Sequence, residues 1–187
     1  PQAELVIGLV KQSGLPEFWQ LTPDQAREQY LLRVGKLAPK EPIFRTAGRG
    51  IPGPGSELPI RIYQPREARP GEQLPVLVWF HGGGFVIGDL DTHDPACRML
   101  ANQADCLVVA VDYRLAPEFK FPAAVDDSMA AVRWVALHAR ELGGDPERIA
   151  VGGDSAGGNL AAVCALLARN EGHPRLAFQL LIYPCTA

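Results

Sequence analysis

The sequence predicts an α/β fold with a mostly parallel central sheet flanked by helices, and three observations carry that prediction. Four apolar runs, at 76–80, 107–111, 149–152 and 178–183, have the length and composition of strands buried on both faces. Helical patterns at 93–104, 122–142 and 156–169 separate them. Strand and helix alternate in the order that right-handed crossovers require.

The elements follow in chain order. Residues 1–42 read as a separate N-terminal segment of two helices. In the first, Leu5, Val6, Leu9 and Val10 recur at helical spacing. The second opens on Thr22 as N-cap, with Pro23 in the first turn and Gln25 three residues after the cap. Ala26, Tyr30, Val34 and Leu37 form its apolar face, Phe18 and Trp19 lie in the connection, and Pro39 and Pro42 end the segment. Residues 43–187 form the core. Two short strands at 43–46 and 58–63 flank a Gly/Pro-rich turn at 48–55, which predicts a hairpin at a sheet edge. In the helix at 122–142, Val125, Met129, Val132 and Ala136 share one face.

Composition excludes several classes. A chain of 187 residues is long enough for one domain with a sizeable core. With 47% hydrophobic and 21% charged residues it is not a disordered chain. A net charge of −3 and the absence of any basic block argue against a nucleic-acid partner. The apolar runs are far shorter than a membrane span, which argues against stable insertion. The first thirty residues lack the basic start, apolar stretch and small-residue cleavage site of a signal peptide. Cys97, Cys106, Cys164 and Cys185 show no CxxC spacing and have mostly apolar neighbours, so they read as buried free thiols of a cytoplasmic, reducing compartment.

Two motifs carry chemistry. Gly153-Asp154-Ser155-Ala156-Gly157-Gly158 lies between a strand and an amphipathic helix, the context a G-x-S-x-G nucleophile elbow requires. Small residues at Gly153 and Gly157 let strand and helix close around the serine, which then stands at the C-terminal edge of the sheet. The helix N-terminus favours negative charge there. His81-Gly82-Gly83-Gly84 directly follows another strand. Consecutive glycines let main-chain N–H groups converge on one point, as an oxyanion hole needs. The N–H groups of Gly83 and Gly84 are assigned to that role, with Ala156 as third donor.

Together these motifs resemble the hormone-sensitive-lipase-like branch of the α/β-hydrolase family. His81-Gly82-Gly83-Gly84-Phe85, the Gly153–Gly158 stretch and Asp112-Tyr113-Arg114-Leu115-Ala116-Pro117-Glu118 match its signatures. The resemblance runs from about Leu74 to Pro184, and the N-terminal helices resemble the family's cap. It implies hydrolysis of carboxylic esters with short to medium acyl chains, through an acyl-enzyme on Ser155, without metal or organic cofactor. It also points to a pocket lined by Phe85, Val86, Phe18 and Trp19, of which Phe85 is expected nearest Ser155. Arg114 is expected at the centre of a buried ion-pair or hydrogen-bond cluster, and Asp154 is expected to hydrogen-bond within the turn.

The triad is where the pattern departs. The family order is serine, acid, histidine, and downstream of Ser155 the chain holds only Glu171 and His173. The helix from Ala156 carries the chain roughly 20 Å from the active edge at 1.5 Å per residue, which places His173 at the opposite end. His138 falls at that end too, and His81 belongs to the glycine loop. His93 is the other histidine expected near the active edge, and it is not expected to be the base. The expectation is therefore that the chain is the N-terminal part of a larger enzyme, with acid and histidine beyond residue 187, and that these residues alone are largely inactive. A non-catalytic small-molecule-binding protein on the same fold, or an amidase or deacetylase, are the alternatives. The oligomeric state is not readable from the sequence.

Overall fold

The computed structural model describes residues 4, 8, 14–36 and 39–186. The expected first helix, with Leu5, Val6, Leu9 and Val10, lies outside the described residues, as does Leu37. A 3₁₀ turn, Phe18–Gln20, leads into α1, Pro23–Tyr30. The capping box forms as the sequence predicts: Gln25 N–H donates to Thr22 Oγ1 at 3.4 Å and Thr22 N–H to Gln25 Oε1 at 3.0 Å. The helix then widens into a π-helical segment, Leu31–Lys36, which the periodicity did not foretell.

Six strands and three further helices follow: β1, Arg45–Pro52; β2, Glu57–Gln64; β3, Leu74–Phe80; α2, Asp94–Ala104; β4, Leu107–Val111; α3, Ala123–His138; β5, Gly144–Asp154; α4, Ala156–Glu171; and β6, Phe178–Ile182. The sheet order is β1-β2-β4-β3-β5-β6. The pairs from β4 through β3 and β5 to β6 are parallel, and the β1–β2 hairpin adds an antiparallel edge. The hairpin stands where the sequence places it, but the expected turn does not. Gly48 and Gly50 are strand residues facing Arg61 and Pro59, and the chain reverses only at 53–56, where Gly53 N–H meets Ser56 O at 3.0 Å. Small residues are tolerated on an edge strand that needs only one partner.

Both faces of the sheet are buried. Val76, Val78 and Phe80 of β3 pack with Val109, Val111, Ile149 and Val151 beneath α3 and α4. Leu77 and Trp79 point the other way and pack with Tyr63, Val108 and Ala110 beneath Cys97 and Ala101 of α2. That two-sided burial is the reason these runs are apolar without alternation.

From β3 the chain moves to β4 on one side and then to β5 on the other. The C-terminal ends of β3 and β5 are therefore neighbours, with Phe80 opposite Gly153. A crevice at such a reversal of strand order is where open α/β sheets place their sites. Here the glycine loop after β3 and the serine turn after β5 meet.

Candidate active site

Ser155 sits at the β5–α4 junction with φ 51° and ψ −114°, a strained backbone for a residue with a side chain. Main-chain bonds hold it there. Its N–H donates to Ile182 O at 2.9 Å, and its carbonyl accepts from Asn159 at 3.0 Å and Cys185 at 3.1 Å. The flanking glycines are required by close approach. A Cβ on Gly153 would strike the Gly157 carbonyl group, and one on Gly157 would strike the Phe80 carbonyl oxygen.

The glycine loop runs beside this turn. Gly83, Gly84 and Phe85 all have positive φ, at 127°, 62° and 64°. Val86 and Ile87 N–H groups both donate to Gly83 O, at 3.1 and 3.0 Å, curling the loop on itself. Among the described residues, the N–H groups of Gly83, Gly84 and Ala156 have no hydrogen-bond acceptor, whereas Gly82 N–H donates to Asp154 Oδ1 at 3.0 Å. Three unused donors thus remain on the two turns that flank Ser155.

Asp154 bonds within its own turn, to its own main-chain N–H, and also ties the site together across elements. Besides Gly82 it meets His93 Nε2 at 3.3 Å. Burial works against its charge, but the bond from His93 and those from main-chain N–H groups hold its carboxyl below the usual range. His93 is itself buried, with Nδ1 3.0 Å from Thr92 Oγ1, so both ring nitrogens are engaged. His81 is stacked on Tyr113 at 4.3 Å, and Tyr113 donates to the His81 carbonyl at 2.6 Å. Burial, with a smaller contribution from His93, pushes the His81 imidazole down to about 4, so the ring is neutral near pH 7. Its Nδ1 lies 2.8 Å from Gly82 O, which makes Nδ1 the protonated nitrogen. Asp112, at the end of β4, is raised to about 6 by burial.

The other expected residues are placed as follows. Phe85 lines a cavity of about 760 Å³ with Gly84, Asn159, Val163, Leu167 and Phe121. Val86, Phe18 and Trp19 do not line it. The Val86 carbonyl accepts from Arg27, Phe18 packs edge-on against Tyr30 at 6.2 Å, and Trp19 is 81% exposed. Aromatic residues in a connection carry no sequence signal for the direction in which they point. Arg114 forms a two-pronged pair with Asp127 of α3, at 2.8 Å for each prong, as the cluster expectation required. His138 stacks on Trp134 and lies 2.8 Å from its carbonyl, while His173 follows α4. Cys97, Cys106 and Cys164 are buried, whereas Cys185, which follows β6, is exposed. Sequence reasoning missed Arg27, which no motif contains. It also missed the His93–Asp154 pair, whose members belong to different loops.

A strained serine between a parallel strand and a helix, beside a curled glycine loop, defines an α/β hydrolase architecture. The comparisons agree. The alpha/beta hydrolase fold family matches residues 77–187. The chain is 54% identical over 171 residues to the esterase LipI of Mycobacterium tuberculosis, covering 90% of this chain and 53% of that protein. It is 59% identical over 131 residues to the carboxylesterase NlhH of the same species, covering 70% and 40%. An esterase of Pyrobaculum calidifontis superposes with a TM-score of 0.88 at 44% identity, over 98% of this chain and 58% of its own. The chain belongs to the α/β-hydrolase family, in its hormone-sensitive-lipase-like carboxylesterase branch. It spans about half the length of the curated relatives it matches. Among the described residues, no helix is long and apolar enough to cross a membrane.

Proposed function

We propose that the protein hydrolyses carboxylic esters of small molecules through an acyl-enzyme on Ser155. The observation that carries this reading is the strained Ser155 turn flanked by the unused N–H groups of Gly83, Gly84 and Ala156. In this reading the Ser155 hydroxyl attacks the ester carbonyl, and the three N–H groups stabilise the oxygen as it becomes negative. The alcohol leaves, and water releases the acid in a second step. The acyl chain occupies the apolar cavity between Phe85 and Leu167. A similar protein of Pseudomonas putida, 43% identical over 171 residues, is named ethyl acetate hydrolase, which supports short acyl chains. The base and acid come from outside these 187 residues, because His93 is held by Asp154 and Thr92 and His81 is buried in its stack.

The test is turnover of p-nitrophenyl acetate and butyrate by the protein that carries this sequence, with Ser155→Ala alongside. The substitution is expected to lower kcat at least about a thousandfold with the melting temperature preserved. A fluorophosphonate is expected to phosphonylate the parent with loss of fluoride, adding its mass less HF, and not the variant. Full turnover by Ser155→Ala would remove the assignment. Ligand binding without turnover in the parent would favour a non-catalytic binding protein.

A further inference from the structure

Outside the motifs, the most heavily bonded side chain near the site is Arg27 of α1. Its Nε donates to Val86 O at 2.9 Å, and Nη2 donates to Ala116 O at 3.0 Å. The guanidinium forks onto Glu118, at 3.0 and 2.7 Å, and Nη1 also reaches Asp24 at 3.2 Å. All five of its N–H groups are thereby used. Among the described residues, Arg27 is the polar link between α1 and the core.

The two carbonyls it holds are not arbitrary. The N–H of Val86 closes the turn onto Gly83 O, so fixing the Val86 carbonyl fixes one end of the glycine loop. The N–H of Ala116 donates to Phe85 O at 2.8 Å, so the residue whose carbonyl Arg27 grips also holds the loop's middle. Three successive residues in that loop, Gly83 to Phe85, have positive φ, a shape that short-range bonding alone does not maintain. An oxyanion hole gains its effect from donors fixed before the reaction.

We propose that Arg27 is a positioning residue that holds the oxyanion loop in register through Val86 and Ala116, with Glu118 setting the plane of the guanidinium. Its catalytic consequence rests on the hydrolytic reading above, while its structural consequence does not. Lysine at this position keeps the charge but not the planar fork, so it cannot serve both carbonyls and Glu118 together.

The experiment compares the parent protein with Arg27→Lys and Arg27→Ala, using amide hydrogen exchange and p-nitrophenyl acetate kinetics. Exchange over residues 83–88 is expected to rise at least tenfold in both variants while β3 keeps its protection. The kcat is expected to fall about tenfold to a hundredfold, with KM changed less than about threefold, because displaced donors weaken the transition state more than the bound ester. A role confined to pinning α1 would raise exchange over residues 23–30 only, leave kcat within twofold and be rescued by lysine; that pattern overturns the proposal. If the parent hydrolyses no ester and matches Ser155→Ala, the hydrolytic reading has failed. Exchange over 83–88 then decides the positioning role by itself: unchanged protection overturns it and lost protection supports it.

Discussion

Alanine at Gly157 is the most demanding test of how the site is packed. Gly157 lies in the first turn of α4, against the end of β3. An added Cβ would collide with the Phe80 carbonyl oxygen and come within 2.5 Å of its carbon and 2.6 Å of His81 O. Ordinary contacts there start near 3.4 Å, so α4 and β3 must part by about 1.5 Å. The obstructing atoms are main chain and cannot turn aside. Nor can α4 slide easily, since Leu160 and Cys164 on the same helix are fully buried against the sheet. Overpacking of this kind costs about 3 kcal/mol, the upper end of its usual range. For a chain of this size that lowers the melting temperature by roughly 6–12 °C. The displacement also separates Ser155 from the glycine loop, and a 1 Å misplacement costs about a hundredfold in rate. Calorimetry and p-nitrophenyl acetate turnover read both effects. Gly172→Ala supplies the contrast on the same helix: φ is +76° but nothing lies within 4 Å of the new Cβ. It is expected to cost about 1–2 kcal/mol of backbone strain and leave turnover unchanged. A Gly157→Ala protein that melts within 2 °C of the parent and keeps its turnover would refute the packing argument.

Two further outcomes follow from the buried groups. His81 has its folded pKa lowered to about 4 by burial, below the unfolded value of about 6.5. Between those values the unfolded chain binds the proton first, so the His81 contribution is complete above pH 6.5 and is lost as pH falls toward 4, by about 3 kcal/mol. Urea unfolding at pH 7 and pH 5 is expected to show about 2 kcal/mol of this fall, and His81→Asn to flatten it; an equal slope in both proteins would contradict the sign. Burial pushes Cys106 up to about 11 and Cys164 up to about 12, and raises Cys97 further still, while Cys185 is exposed. A thiol reagent under native conditions is therefore expected to label Cys97, Cys106 and Cys164 only on unfolding. Rapid labelling of these three would mean that the core is not closed.

Much of the architecture could be read without coordinates because its physical causes are local. A strand covered on both faces must be apolar at successive positions, and Val76 to Phe80 shows that directly. Thr22, Pro23 and Gln25 announce a helix start through bonds that span three residues. The serine turn and the glycine loop are legible for the same reason, since close backbone approach and positive φ both demand glycine. The β1 strand was misplaced because Gly48 and Gly50 look like turn residues, and only pairing with β2 makes them strand. The directions of the aromatic residues were not legible: Phe85 lines a cavity and Trp19 is exposed, and neither direction is encoded by neighbours in the chain.

The sequence by itself determined the strand–helix alternation and the places of Ser155 and of the glycines in the two turns. Each is a constraint between residues a few positions apart. Tertiary structure decided what those residues do together. It set Asp154 between Gly82 and His93, brought Arg27 to Val86 and Ala116, and paired Arg114 with Asp127. These bonds join residues 13 to 89 positions apart. Their partners are chosen by the order in which strands enter the sheet, which no local periodicity records.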